Sequence, residues 1–363
     1  MIQSAWQAVL RGTDVYAFLA GIMALAETAR FCGVFDWIAA AIVDNAANSR
    51  KRLFFLVYAL GTLVTIALSN DTTAVVLTPA IAAAVRRTSA PPLSYLYVCA
   101  FVANAASFVL PISNPANLVV FDSHLPPLGP WLQSFGLASL AAIGLTYAAM
   151  AVLFRSQLRG DLNAHRTAPS APHPARTLAA AVLSASVIAL VLAAALHADI
   201  GFAALGTAIA ALAIVALRDR RIVPFVLRHI AWHVIALVAV LFVAVSAIDR
   251  AGGLVALRWL FAHENALVAG ITIAALDNAI NNLPVALAAA TALPAGAASS
   301  TMLHAAVVAV DLGPNVAISG SLATLLWLIA LRRDGIRVTF LQFLAAGTIV
   351  TVPALIAALL LVR

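Results

Sequence analysis

Between Arg50 and Arg87 the chain runs through about 16 apolar residues, the polar trio Ser69, Asn70 and Asp71, and about 15 more apolar residues. Arg50, Lys51 and Arg52 bound this stretch on one side, and Arg86 and Arg87 on the other. Basic clusters beside apolar segments stay on the cytoplasmic side of a membrane. A segment that begins and ends on one face dips into the bilayer and returns. Its polar tip then lies at membrane depth, where unpaired polar groups are costly. The pattern predicts a re-entrant hairpin over 53–85 that holds something polar.

The rest of the chain is of the same kind. Hydrophobic residues make up 64% of the 363 positions and charged residues 10%, and apolar runs of about 18 residues or more recur, the length of a membrane-crossing helix. This composition predicts an all-α, multi-pass protein in the inner (plasma) membrane, with about eight full spans plus two hairpins. No cleavable signal is visible. Cys32 and Cys99 lack metal or redox spacing, and no metal or cofactor is expected.

The formal net charge of +7 invites a nucleic-acid reading, but 16 of the 21 Lys and Arg fall in five clusters between apolar runs: 50–52, 86–87, 155–176, 218–228 and 332–337. Positive-inside topology accounts for them, and without aromatic interleaving or a binding motif no nucleic-acid partner is expected. An enzyme is not expected either. The chain has no His-Glu-x-x-His pair, Gly-x-Ser-x-Gly elbow or Walker A loop, so any ATP would be hydrolysed by a partner.

Holding the basic clusters inside traces a path. Residues 14–31 span inward, 32–49 lie near the interface, and the hairpin 53–85 follows. Residues 93–121 span outward with a break at Pro111 to Asn117, so Asp122 and His124 lie outside. Residues 131–154 return to a linker marked by Thr167 to Pro174. Spans 177–196 and 200–217 pair around an outer turn at His197 and Asp199. The second half then repeats the first from the opposite side. Arg250-Ala251-Gly252-Gly253 answers Arg30-Phe31-Cys32-Gly33, the polar run Asp277 to Asn282 answers Ser69 to Asp71, and a break at Asp311 to Ser321 answers Pro111 to Asn117. The expected organisation is a first inverted repeat over 14–154, connecting spans over 155–222, and a second repeat over 223–363 with hairpin 264–299 and broken span 301–331. Paired interrupted segments at corresponding places point to a midplane substrate site.

An Asp at a helix centre costs about 2.5–3.5 kcal/mol on insertion scales, so Asp71, Asp277 and Asp311 call for compensation by a cavity or a partner. A capping role is the plainer reading. An amide could cap without charge, which favours function for the three carboxyls and makes them the proton-coupling candidates. Asn70, Asn281 and Asn282 fit capping and ligand contact equally. The full candidate set is Ser69, Asn70, Asp71 and Thr72 at the first tip; Ser113, Asn114 and Asn117 in the first break; Asp277, Asn278, Asn281 and Asn282 at the second tip; and Asp311, Asn315, Ser319 and Ser321 in the second break. Helix ends exposed at mid-membrane carry partial charges that hold polar solutes or ions. Carboxyls shielded there can exchange protons near neutral pH.

Ser69-Asn70-Asp71-Thr72-Thr73-Ala74-Val75-Val76-Leu77-Thr78-Pro79, Asn281-Asn282-Leu283-Pro284, Asp311-Leu312-Gly313-Pro314 and Gly320-Ser321-Leu322-Ala323-Thr324-Leu325-Leu326-Trp327 resemble the ArsB-type arsenite/antimonite efflux permeases of the ion transporter superfamily. The last segment carries most of the specificity, since the Asn-Asp tip is shared with citrate, dicarboxylate and sodium/proton carriers. The resemblance implies an inverted-repeat elevator that exports arsenite or antimonite as the neutral trihydroxide in exchange for protons, alone or with a soluble ATPase subunit. It also implies a homodimer. The break Ser113-Asn114-Pro115-Ala116-Asn117 resembles carboxylate and sodium carriers too, so a sodium- or proton-coupled carrier of another ion or of di- and tricarboxylates is the alternative. A non-transporting membrane scaffold is a second alternative.

Other features weigh less. His229 and His233, spaced i and i+4, would share a helix face as an interfacial pair without a third metal ligand. Glu27 and Arg30, one turn apart, suit an ion pair. His165 and His173 lie in the polar linker.

Overall fold

The computed structural model describes residues 2–121, 125–163, 173–293, 301–333 and 335–363. The positions of Asp122, His124, His165, Thr167 and the end of the second hairpin lie outside them. The described residues are helical, with no strand among them beyond an isolated bridge between Ser49 and Asp161.

Five helical segments among the described residues are long and apolar enough to cross a bilayer unaided: Arg50–Leu68, Leu128–Leu153, Arg176–Ala195, Phe340–Leu361 and Ile222–Arg250, the last interrupted at Ile230 between Ile222–His229 and Trp232–Arg250. Ala5–Arg11 and Thr13–Phe31 form a sixth as a pair bent by 46°. The helix before residue 13 has no counterpart in the expected path. Ile200–Ala216 is shorter, at 17 residues, and two further crossings are split into half-helices, Pro92–Ala105 with Pro115–Val120 and Thr301–Leu312 with Leu322–Arg333. With Arg50–Leu68 taken as a hairpin arm, these complete eight crossings.

Both ends of the first hairpin meet at one place. Arg50 donates from Nη2 to the Ser89 carbonyl at 3.0 Å, and through its other nitrogens to the carbonyls of Asp161 and Arg159 at 3.2 Å each. This knot joins three of the basic clusters into one basic face. His173 approaches Asp219, and Arg30 lies over the Phe225 ring. The hairpin arms are Arg50–Leu68 and Asn70–Val85, the second containing a π-helical stretch over Thr73–Leu77. Pro79, which has no N–H to give back to the preceding turn, follows that stretch. The second hairpin, Ala266–Ile280 with Asn282–Ala292, comes from the opposite face, where Leu287, Ala290 and Thr291 line a cavity with Gln7, Asp249 and Arg250.

Packing follows the membrane rule that small residues let backbones approach. A Cβ on Gly21 would run into the Ala204 backbone, and one on Gly201 into that of Asp14, so Thr13–Phe31 and Ile200–Ala216 lie side by side, nearly in contact. Around the broken spans the core is aromatic: Phe101 stacks on Phe343 at 5.4 Å between centroids, with Tyr97 and Trp327 beside them. Buried indole N–H groups find carbonyls, Trp327 at Leu96 (2.8 Å) and Trp131 at Phe108 (3.2 Å). Such donors cannot be left unmade in an apolar interior.

Candidate functional site

The two tips share one backbone conformation. Ser69 has φ 83° and ψ 160°, Asn281 φ 110° and ψ 150°, and each joins the two arms of its hairpin. Non-glycine residues avoid this region at a cost of about 1–3 kcal/mol. The two breaks also match. Leu110 (φ −123°, ψ 155°) and Ala317 (φ −123°, ψ 154°) each precede a short 3-10 turn, and Asn114 (φ −151°, ψ 132°) and Ser321 (φ −136°, ψ 143°) each open the next half-helix. The hairpin and break of one half are tied alike to those of the other. The carbonyl three residues before each tip, Ile66 or Asn278, accepts a hydroxyl from the neighbouring break, Ser113 at 3.1 Å or Ser319 at 2.7 Å.

This register differs from a direct matching of the polar clusters. Asn281 donates its N–H to the Asp277 carbonyl as Ser69 does to that of Thr65, so Asp277 stands opposite Thr65, and Asp71 opposite Leu283. The carboxyls are not mirror partners. Thr65 shares a 2.8 Å hydroxyl bond with Thr73.

Four helix N-termini converge on one small cavity. Its lining includes Asn70 and Asp71 at the first tip, Asn282 and Leu283 at the second, Asn114 and Pro115 in the first break, and Ser321 and Leu322 in the second. Leu19 and Val234 close it from the spans Thr13–Phe31 and Trp232–Arg250. Three of the N-termini are capped by a short polar side chain, Asn114 accepting from the N–H of Ala116 (3.0 Å), Asn281 from Leu283 (3.4 Å) and Ser321 from Ala323 (3.1 Å), while at the first tip Asn70 accepts from the N–H of its neighbour Asp71 (2.9 Å). Together they set four positive dipole ends around one space. No Lys or Arg lines it among the described residues.

A larger cavity of about 100 Å³ adjoins the first tip, lined by Ser69, Asp71 and Thr72 and leading to Glu27, His229 and His233. The two histidines do not share a helix: Ile222–His229 ends and Trp232–Arg250 begins, the chain turning through extended backbone at Ile230. Glu27 and Arg30 do pair, at 3.1 Å.

The other candidates hold the broken backbone together. Asn117 donates to the freed carbonyl of Ser107 at 3.0 Å. Asn278 donates to Ala274 (2.7 Å) and Gly313 (2.8 Å) and accepts from the N–H of Ala317 (2.7 Å). Thr72 donates to Leu68 (2.6 Å), and Asn281 to Ser319 (3.1 Å). Asn315 donates to the Phe101 carbonyl at 2.8 Å. Non-helical backbone survives at membrane depth only when its polar groups are met this way.

Asp277 and Asp311 are fully buried and do not line the cavity. Asn114 donates to Asp311 Oδ1 at 2.6 Å, while Asp311 Oδ2 and both Asp277 oxygens find no hydrogen-bond partner among the described residues. A charge on such oxygens must be met by a proton or a cation. Of the buried polar residues that the sequence did not single out, one bridges the two halves. Asn104, isolated in the apolar run Pro92–Ala105, donates to Asn315 at 2.8 Å and accepts from Asn70 at 3.4 Å, joining the first tip to the second break. Its position just before the break, like that of Asp311, was the available signal.

Crossing helices, paired half-helices and a polar cavity between their ends define a multi-pass secondary transporter. The chain belongs to the citrate transporter family, whose model matches residues 2–313, within the ion transporter superfamily. It is 28% identical to the arsenical pump membrane protein of Yersinia enterocolitica and 27% identical to that of Escherichia coli K12, in each case over 98% of this chain and 86% of the relative. Among solved structures, the YdaH transporter of Alcanivorax borkumensis aligns with a TM-score of 0.49 and 15% identity, over 99% of this chain and 86% of that one.

Proposed function

We propose that this chain exports arsenite or antimonite, as the neutral trihydroxide, from the cytoplasm in exchange for protons. The observation that carries this reading is the convergence of four helix N-termini on a cavity that holds amides, a hydroxyl and Asp71 but no Lys or Arg among the described residues. Such a lining suits a small uncharged polyhydroxyl better than a multiply charged anion, which would be left without a counter-ion. The names of the curated relatives agree with this choice of cargo. Asp71 faces the cavity, and Asp277 and Asp311 lie behind it; these three carboxyls are the proposed proton carriers. Alternating access would be an elevator movement of the hairpins and broken spans, arranged as repeats over 14–154 and 223–363, against the remaining spans. A homodimer and a soluble ATPase subunit belong to the same reading.

A sodium- or proton-coupled carboxylate carrier is the second reading, favoured by the family description and by dipole ends that suit an anion. Expression in cells lacking their own exporter separates the two. Arsenite accumulation should fall and resistance rise, and Asp71→Asn or Asp277→Asn should abolish both. Uptake of labelled citrate or succinate with no effect on arsenite would establish the carboxylate carrier instead. A scaffold would tolerate Ala at both tips and move neither solute.

A further inference from the structure

Glu27 is a carboxylic acid buried to 6% exposure on the span Thr13–Phe31, and the roles proposed above do not use it. It lines the cavity of about 100 Å³ that also holds Ser69, Asp71 and Thr72 at one end and the exposed His229 and His233 at the other. A cavity of that volume has room for several water molecules. Arg30 Nε lies 3.1 Å from Glu27 Oε2, yet that oxygen accepts no hydrogen bond among the described residues. That oxygen is enclosed beside Arg30, which leaves Oε1 to meet water in the cavity. The groups that face Glu27 are Arg30 on its own helix, His229 on Ile222–His229, His233 on Trp232–Arg250 and Asp71 at the hairpin tip. His229 Nδ1 lies 2.7 Å from the Phe225 carbonyl. A carbonyl only accepts, so Nδ1 carries the hydrogen and Nε2 is left to exchange a proton.

We propose that Glu27 relays protons between Asp71 and the basic face, with His229 at the mouth of the path. This rests on the proton-exchange reading given above. In the inward step a proton leaves the Asp71 carboxyl and passes through cavity water to a Glu27 carboxylate oxygen. It then departs to solvent, directly or by way of His229 Nε2. Only O–H and N–H bonds form and break, and no electrons change hands. Arg30 keeps a fixed counter-charge beside the carboxylate that remains, which would otherwise be stranded in a poorly solvated site.

The test uses the purified full-length chain in proteoliposomes, with two readouts. One is arsenite movement driven by an imposed pH gradient, with lumenal pH followed by a dye; the other is exchange of labelled arsenite at equal pH on both sides. Glu27→Gln should slow gradient-driven transport at least tenfold and leave exchange within twofold, and Glu27→Asp should restore much of the loss. His229→Gln should give a smaller, pH-dependent slowing. If Glu27→Gln lowers both readouts together, Glu27 only anchors Arg30 and the relay is overturned. If it lowers neither while the unmodified chain is proton-driven, the relay alone is overturned. An unmodified chain indifferent to the gradient overturns the proton-exchange reading and the relay with it.

Discussion

Asn104 and Asp311 each stand one residue before the end of the helix that leads into a break, and each reaches across to the break of the opposite half. Asn104 donates to Asn315 at 2.8 Å, and Asp311 accepts from Asn114 at 2.6 Å. The two halves are thus cross-linked at their weakest points by buried amide and carboxyl groups. One position holds an amide and its counterpart an acid, so the arrangement carries a titratable group on one side only.

This crossing predicts how the core responds to losing one partner. Asn114→Ala removes a charge-assisted donor from a buried carboxyl, which should cost about 1–3 kcal/mol. Thermal unfolding of the purified protein in detergent measures this. The double variant Asn114→Ala with Asp311→Ala should be less destabilised than the sum of the two single changes, because they share one interaction.

Asp277 predicts the opposite balance. Its two oxygens are buried without hydrogen-bond partners among the described residues, so the carboxyl adds little to stability. Asp277→Asn should leave the unfolding temperature unchanged or raise it, while lowering proton-driven transport at least tenfold. A fall of several degrees would show that the carboxyl holds the fold instead.

The hairpins predict a labelling pattern. Arg52 and Arg87 are exposed beside the Arg50 knot, while His263 is exposed just before the second hairpin. Single cysteines at 52 and 87 should react with an impermeant maleimide from the cytoplasmic side, and one at 263 from the opposite side. The native Cys32 and Cys99 are buried and should give little background. Opposite accessibility at 52 and 87 would make the first hairpin an ordinary crossing.

The loop at Asp219 predicts an acid response. Hydrogen bonds and charge from Arg221, at 2.8 Å, hold the Asp219 carboxyl well below the usual carboxylate range, with His173 Nε2 at 3.5 Å adding to the effect. A carboxyl depressed on folding stabilises above its ordinary value of about 3.9, and this stabilisation is lost as pH falls through the folded value. Unfolding followed from pH 5 down to about 2 should therefore show a smaller acid-induced drop in Asp219→Asn than in the unmodified chain.

Much of this architecture was legible before any coordinates. Basic residues on both sides of Ser69–Asp71 imply a return to the same face, and the Arg50 knot places both ends there. The prolines at 111 and 115 and the Gly-Pro pair at 313–314 mark the breaks, because proline and glycine interrupt the helical ladder. Other details were not legible. Hydropathy reports depth in the bilayer but not rotation about a helix axis, so the alignment of Asp277 with Thr65 emerged only from the backbone. Asn104 is one amide in an apolar run, and its role depends on residues more than two hundred positions away. No proline or glycine marks the turn at Ile230, so His229 and His233 read as one helix face when they lie on two.

In the proposed elevator movement the site returns without its cargo, and there the origin of the cavity's polarity matters. Pockets that attract cargo with fixed lysines or arginines keep that charge after the cargo leaves, and dragging it past lipid is expensive. Here the pull comes from peptide dipoles at Asn70, Asn114, Asn282 and Ser321. Those cancel along their own helices, so with a proton on Asp71 the emptied pocket of the proposed exchanger would return almost electrically silent.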